Sequence, residues 1–299
     1  MNDDSKSNSL AGEIYFGDNL DVLRNIPTSS VNLIYIDPPF NTGIVQARTR
    51  TATVQSEDGC RIGFQGKRYE TKLLGSMGFN DSFDDYLGVL EPRLREAYRV
   101  LTTNGALYLH LDYREVHYCK ILLDSIFGRE CFINEIIWAY DYGGKPKIHW
   151  PAKHDNILFY VKDPERYIFN VDDIEREPYM APGLVTPEKV ARGKLPTDTW
   201  WHTIVPTNGS ERTGYPTQKP LGILKRIITA SSNPGDVVLD FFAGSGTTGE
   251  AAILLGRRFI LVDKNPEALD VMDRRLSRFP NIKFIGYEPK YIPQQKHLF

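Results

Sequence analysis

The sequence predicts an α/β fold: a doubly wound, mostly parallel sheet of seven strands with an antiparallel hairpin at one edge. Three observations predict it. Short apolar, β-branched runs without alternation, at residues 33–36 and 237–239, read as strands buried on both faces. Amphipathic stretches of helical period separate such runs, the rhythm of βαβ units. Two of the runs stop at turn-forming sequences, Asp37-Pro38-Pro39-Phe40 and Asp240 to Gly246. Both turns fall at the C-terminal edge of a strand, where open α/β sheets hold ligands.

The elements follow in order. Residues 1–11 are polar and read as a disordered lead. Residues 13–16 form a short strand. Asp18 or Asn19 caps a helix with Leu20, Leu23 and Ile26 on one face, and Pro27 to Ser30 end it. The strand at 33–36 runs into Asp37, where two prolines forbid further ladder or helix and force a turn. Residues 42–80 then lose all periodicity. They carry Arg48, Arg50, Arg61, Lys67, Arg68 and Lys72 against Glu57, Asp58 and Glu70. This predicts an inserted mobile loop, either a phosphate-facing flap or a solvated insertion.

Residues 84–101 predict an amphipathic helix interrupted by Pro92 and stopped by Asn104-Gly105. A strand at 106–111, a helix at 113–127, and strands at 133–140 and 156–161 follow; the last two form the antiparallel edge. Residues 162–217 again lack periodicity and read as an accessory segment within one domain. A helix at 221–230, a strand at 237–241, a helix at 247–255, a strand at 259–262 and a helix opened by Pro266 complete the pattern. Residues 282–285 offer one more strand, and the final dozen residues a tail.

Composition narrows the class. The chain has 299 residues, 41% hydrophobic and 25% charged, with a formal net charge of -2. These are the values of an ordinary globular chain, and basic residues must be gathered locally if the partner is a polyanion. No apolar run approaches the ~20 residues that span a bilayer. The polar N-terminus lacks a signal core, and three cysteines without metal-like spacing suit reduced thiols, so the expectation is a cytoplasmic protein with no metal site and no membrane contact.

Two motifs carry chemistry. Asp240-Phe241-Phe242-Ala243-Gly244-Ser245-Gly246-Thr247 links a strand to a helix, so its glycines let backbone N–H groups approach a ligand. Asp263 ends the next strand, in the position from which a carboxylate grips ribose hydroxyls. Gly244, Gly246 and Gly249 also satisfy the dinucleotide pattern, so a nicotinamide-dependent oxidoreductase is a rival reading. The second motif, Asp37 to Phe40, presents a carboxylate, rigid carbonyls and an aromatic ring together.

Together the two motifs resemble the S-adenosylmethionine-dependent DNA amino-methyltransferases. Their order, the Asp-Pro-Pro-Phe motif early and the glycine motif late, resembles the beta class, whose class I methyltransferase sheet is circularly permuted. Gly17-Asp18 and Pro216-Thr217-Gln218-Lys219-Pro220 match further motifs of that family. The resemblance covers most of the chain and implies a single permuted domain over 1–299. It implies S-adenosyl-L-methionine as cofactor, with Asp240, Phe241, Phe242, Ala243, Gly244, Ser245, Gly246 and Thr247 around its methionine part. Asp263 is implied at the ribose, Asp18 at the adenine edge and Lys219 on the methionine side. Asp37, Pro38, Pro39 and Phe40 are implied as the catalytic set, with Asp37 touching cofactor as well as base.

The implied reaction is methylation of adenine N6 in double-stranded DNA after base flipping, with N4 of cytosine the alternative. Residues 162–215 are implied as an embedded target-recognition region. A cognate restriction endonuclease and a homodimer are partners the resemblance leaves open. A cytosine-C5 reaction needs a nucleophilic cysteine following proline, and none of the three cysteines follows one.

Overall fold

The computed structural model describes residues 11–55, 61–62, 68–144, 146–206 and 208–291. The polar lead, Cys60, Lys67 and the end of the tail lie outside the described residues.

The chain opens with β1 (Gly12–Phe16) and α1 (Asn19–Asn25), whose N-cap Asp18 accepts from the Leu20 N–H. Next comes β2 (Val31–Ile36), which ends at Asp37. After the site loop the backbone forms β3 (Ile44–Gln55), β4 (Arg61–Ile62) and β5 (Arg68–Asp81), a three-stranded antiparallel sheet in the order β3-β5-β4. This corrects the expectation of a structureless insertion. Pairing runs from Ile44 opposite Asp81 to Gln55 opposite Tyr69, so the backbone groups of the ribbon bond to one another.

α2 (Tyr86–Val100) follows with Pro92 inside it, then β6 (Leu101–Leu111) and α3 (Val116–Phe127). Asn104 and Gly105, expected to stop the helix, lie within β6; the helix gives way to strand directly at Leu101. β7 (Phe132–Ala139) and β8 (His154–Val161) come next, then the short α4 (Pro187–Arg192) and β9 (Thr199–Trp201). α5 (Leu221–Ser231), β10 (Val237–Asp240), α6 (Thr247–Leu254), β11 (Arg258–Asp263), α7 (Pro266–Leu276) and β12 (Ile282–Ile285) close the chain.

The main sheet has nine strands among the described residues, in the order β12-β1-β11-β10-β2-β6-β8-β7-β9. The expected seven are joined by β12 and by the three-residue β9 on the far edge, too short to show a period. From β12 to β6 every pairing is parallel. β8 runs antiparallel to both neighbours, and β9 pairs parallel with β7.

Both faces are covered. One apolar cluster gathers Leu33 and Tyr35 of β2 with Ile223 and Ile227 of α5, Ala251 of α6 and Leu269 of α7. The other gathers Ile34 and Ile36 with Leu23 of α1, Leu90 and Leu94 of α2 and Leu123 of α3. Successive β2 side chains thus enter opposite layers, which is why the strand reads as a continuous apolar run. The chain leaves β10 toward β11 on one side and leaves β2 toward β6 on the other. The sheet's switch point therefore lies between β10 and β2, and a ligand crevice opens beyond their C-terminal ends.

Candidate active site

The two sequence motifs meet in that crevice. A cavity of about 310 Å³ is lined by Asp37, Pro38, Pro39 and Phe40 from the end of β2 and by the turn from Asp240 to Thr247. Asp263 from the end of β11 and Lys219 from the loop before α5 complete the wall. This volume lies at the lower end of the range for small-molecule pockets.

The glycine turn is fixed by acids beneath it. Asp240 is buried; its oxygens accept from the Phe242 N–H at 3.0 Å and the Thr248 hydroxyl at 2.6 Å. Burial pushes its carboxyl up to about 7, against the pull of those two bonds. Asp263 accepts from the Gly244 N–H and the Asn265 N–H, both at 2.8 Å, and burial raises its pKa. The Lys264 N–H donates to Asp263 as well, which leaves the carboxylate room for one further donor such as a ligand hydroxyl. Gly246 has φ 72°, and a Cβ there would sit 2.7 Å from Met272 Cγ, so both backbone and packing demand glycine. Thr247 opens α6, and its hydroxyl receives a hydrogen bond from Arg275 at 2.8 Å, which holds the helix start in place.

Asp37 is set apart by its two oxygens. Oδ2 accepts from Lys219 Nζ at 2.5 Å, while Oδ1 is buried with no hydrogen-bond partner. An unpaired buried carboxylate oxygen is costly, and at the wall of a cavity it marks the place for a donor from a ligand. The loop that carries it is pinned from behind. Asn41 has φ 55°; its N–H donates to Asp81, its amide donates to Glu115, and its Oδ1 accepts from the Phe83 N–H. The root of the antiparallel ribbon is thereby tied to the site.

Asp18 lies outside the cavity lining, whereas Lys219 and Phe241 belong to it. Asp18 caps α1 and pairs with Arg93 at 3.2 Å; the cavity wall there is Gly17 and Asn19, with Asn19 donating to the Phe241 carbonyl at 2.7 Å. Capping uses the Asp18 oxygens locally, so its neighbour faces the crevice instead. Lys219 turns its ammonium to Asp37 and stands 4.9 Å from the Phe40 ring centroid. Phe241 lines the cavity, and its ring is buried against Phe242.

A buried polar relay behind Phe40 was not legible in the sequence. His110 lies 5.9 Å from Phe40 between ring centroids; its Nδ1 shares a hydrogen bond with the Tyr35 hydroxyl at 2.7 Å, and its Nε2 meets Asp155 at 3.1 Å. Tyr140 donates to the other Asp155 oxygen at 2.9 Å. Burial alone would raise Asp155, but the His110 bond, the nearby Lys219 charge and the Tyr140 bond outweigh it and hold the carboxyl below its ordinary range. The only available signal was a histidine inside an apolar strand, Leu109-His110-Leu111. His110→Ala leaves the Tyr35 hydroxyl and one of the two Asp155 oxygens buried without a partner. It is expected to lower stability by about 2–3 kcal/mol in urea denaturation. A loss under ~0.5 kcal/mol would show that water replaces the ring freely. His149, His154 and His202 take no part in the cavity wall.

A glycine turn held over acids, facing a niche with one unclaimed carboxylate oxygen, defines a class: α/β group-transfer enzymes that bring a nucleoside cofactor against a second substrate. The sequence from residue 31 to residue 274 matches the profile of the DNA methylase family for N6 and N4 methylation. The chain belongs to that family and is an S-adenosylmethionine-dependent DNA methyltransferase. It is 34% identical to the DNA adenine methyltransferase YhdJ of Escherichia coli K12, over 89% of this chain and 83% of that one. It is 32% identical to the type II methyltransferase M.HpaI of Haemophilus parainfluenzae, over 91% and 76%. The fold resembles the DNA modification methylase TTHA0409 of Thermus thermophilus in complex with S-adenosyl-L-methionine. There the TM-score is 0.57 at 21% identity, over 93% of this chain and 99% of that one. Membership decides against the nicotinamide alternative. Among the described residues no helix is long and apolar enough to cross a membrane, and no His, Cys, Asp and Glu cluster is fit for a metal ion.

Proposed function

We propose that this enzyme methylates N6 of adenine at a specific site in double-stranded DNA. The observation that carries the reading is the orphaned Asp37 Oδ1 in a cavity shared with the glycine turn. The residues present fit S-adenosylmethionine. Asp263 has room for a ribose hydroxyl, the Gly244 to Gly246 turn admits close backbone approach, and the cavity continues to Asp37. Bound there, the cofactor supplies an electrophilic methyl on a sulfonium.

The chain's own residues do the rest. An exocyclic amino nitrogen is a weak nucleophile because its lone pair is delocalised into the ring. Hydrogen bonds from its two N–H groups to Asp37 and the Pro38 carbonyl pull the nitrogen toward tetrahedral geometry and localise that pair. The Asp37 charge offsets the cation that develops on nitrogen, and Asp37 or water takes the released proton. Proline fixes the carbonyl through its rigid φ. The target is out of reach inside a duplex, so it is flipped out, and Phe40 stacks on it.

Adenine rather than cytosine is favoured by the acid at the first motif position and by the activity named for the E. coli relative. Residues 162–215 are assigned to sequence choice. Arg48, Arg50 and Arg61, in the basic stretch of the ribbon, are assigned to phosphates. Replacing all three is expected to flatten the slope of log K against log salt by up to about 0.9 for each phosphate no longer neutralised, for every sequence alike. An unchanged slope would leave the ribbon without a DNA role. A cognate restriction endonuclease accords with the type II relatives; a cytoplasmic location and a homodimer belong to the same proposal. Methyl transfer from tritiated cofactor, followed by base-resolution mapping of a genome expressing the chain, tests the reading. Methylation confined to cytosine N4 would replace adenine, and no transfer to DNA would overturn the proposal.

A further inference from the structure

The Lys219 side chain reaches the Asp37 to Phe40 motif. Its ammonium is at hydrogen-bond distance from Asp37 Oδ2 and 4.9 Å from the Phe40 centroid. The lysine is buried, and its backbone carbonyl accepts from Thr247 Oγ1 at 3.2 Å. The preceding Gln218 is folded back onto Thr213 and the Glu211 carbonyl, so the loop directs Lys219 inward. The ammonium, the free Asp37 oxygen and the stacking ring therefore surround one spot, the spot assigned above to the flipped base.

We infer that Lys219 is a specificity-determining residue, donating a hydrogen bond to the ring nitrogen next to the target amino group. The inference rests on the methyltransferase reading of the site. An ammonium has three donors and no acceptor. One is spent on Asp37, and another is free for the base. Adenine presents an amino donor at position 6 beside an acceptor at N1; cytosine presents an amino donor at position 4 beside an acceptor at N3. Guanine and thymine present the reverse, a carbonyl beside an N–H. Asp37 as acceptor and Lys219 as donor, bridged to each other, admit the first two bases and leave like groups facing one another with the other two. A flipped base is read on this edge, and a site built to pair a polar group rejects a base that leaves it unpaired. The same pair cannot separate adenine from cytosine, which accords with one family performing both reactions.

The test uses the full-length enzyme and duplexes carrying its mapped site, with either adenine or 1-deazaadenine at the target position. The analogue keeps the amino group, makes it more electron-rich and removes the N1 acceptor; this also weakens the pair with thymine, which eases flipping and works against the expected penalty. The parent is expected to methylate the analogue about 10- to 100-fold more slowly in kcat/KM, the scale of a lost hydrogen bond to a charged group. In Lys219→Met that penalty is expected to vanish, with S-adenosylmethionine affinity by calorimetry within about threefold of the parent. If the parent methylates the analogue as fast as adenine, the inference is wrong, whatever the variant does. It is equally wrong if Lys219→Met keeps the full penalty, or if its loss of activity is matched by loss of cofactor binding. Where mapping assigns cytosine, 3-deazacytosine serves with the same expectations. Failure to methylate any natural duplex would instead remove the methyltransferase reading, and this inference with it.

Discussion

Asp37→Ala is expected to abolish methyl transfer while leaving S-adenosylmethionine affinity within about threefold of the parent. The carboxylate acts where charge develops, on the amino nitrogen, and removal of one preorganised electrostatic group costs about a hundredfold or more in rate. The groups proposed to hold the cofactor lie elsewhere, at the Gly244 to Gly246 turn and at Asp263, whose hydrogen bonds run to Gly244 and Asn265 rather than to Asp37. Asp37→Asn keeps an acceptor oxygen but loses the charge, so only residual activity is expected. Phe40→Ala separates the two functions of the motif. It loosens the flipped base by roughly 1–3 kcal/mol of stacking while both acceptors remain in place. Single-turnover methylation with cofactor titration for the three variants provides the measurement. Near-parent rates for Asp37→Ala would refute the mechanism irrespective of family.

Asp240→Asn is expected to become more stable relative to the parent as pH rises from 4 to 8. The Asp240 carboxyl is raised from 3.8 to about 7 in the folded protein, chiefly by burial. Folding therefore favours its protonated form. Its contribution to stability is complete below pH ~3.8 and is lost as pH rises through about 7. Across that window the parent forfeits up to about 4 kcal/mol at this one group. An amide does not titrate, so the variant escapes the loss. Urea midpoints of both proteins at each pH unit give the difference directly. A difference that stays flat would mean that the Phe242 and Thr248 hydrogen bonds hold the carboxylate ionised at no cost. The effect also bears on the proposed function, because this acid underlies the turn proposed to receive the cofactor.

Much of the fold was legible in the chain. The parallel strands announce themselves because burial on both faces demands unbroken apolar runs, as in Leu33 to Ile36, with Ile34 and Ile36 in one layer and Leu33 and Tyr35 in the other. The antiparallel ribbon was not legible, since residues 42–80 show no strand period in sequence and the pairing joins residues up to 37 apart in the chain, Ile44 with Asp81. The relay of Tyr35, His110, Asp155 and Tyr140 escaped for another reason. Its members come from β2, β6, β8 and the end of β7, and no spacing along the chain links them.

The sequence by itself determined the class of protein and the two strand-ending turns that meet at the cavity, because each is a local pattern with a local physical cause. Only the tertiary structure decided what those residues face. Asp37 and the glycine turn are about two hundred residues apart in the chain, and they share a cavity because β2 and β10 are neighbours in the sheet. The same adjacency, with Gln218 folded back behind it, turned Lys219 toward Asp37 and Phe40 rather than along the turn. Capping took Asp18 away from the crevice and left Asn19 in its place. A side chain's direction is set by the packing and hydrogen bonds of elements distant in sequence, and that information exists only once the sheet has assembled.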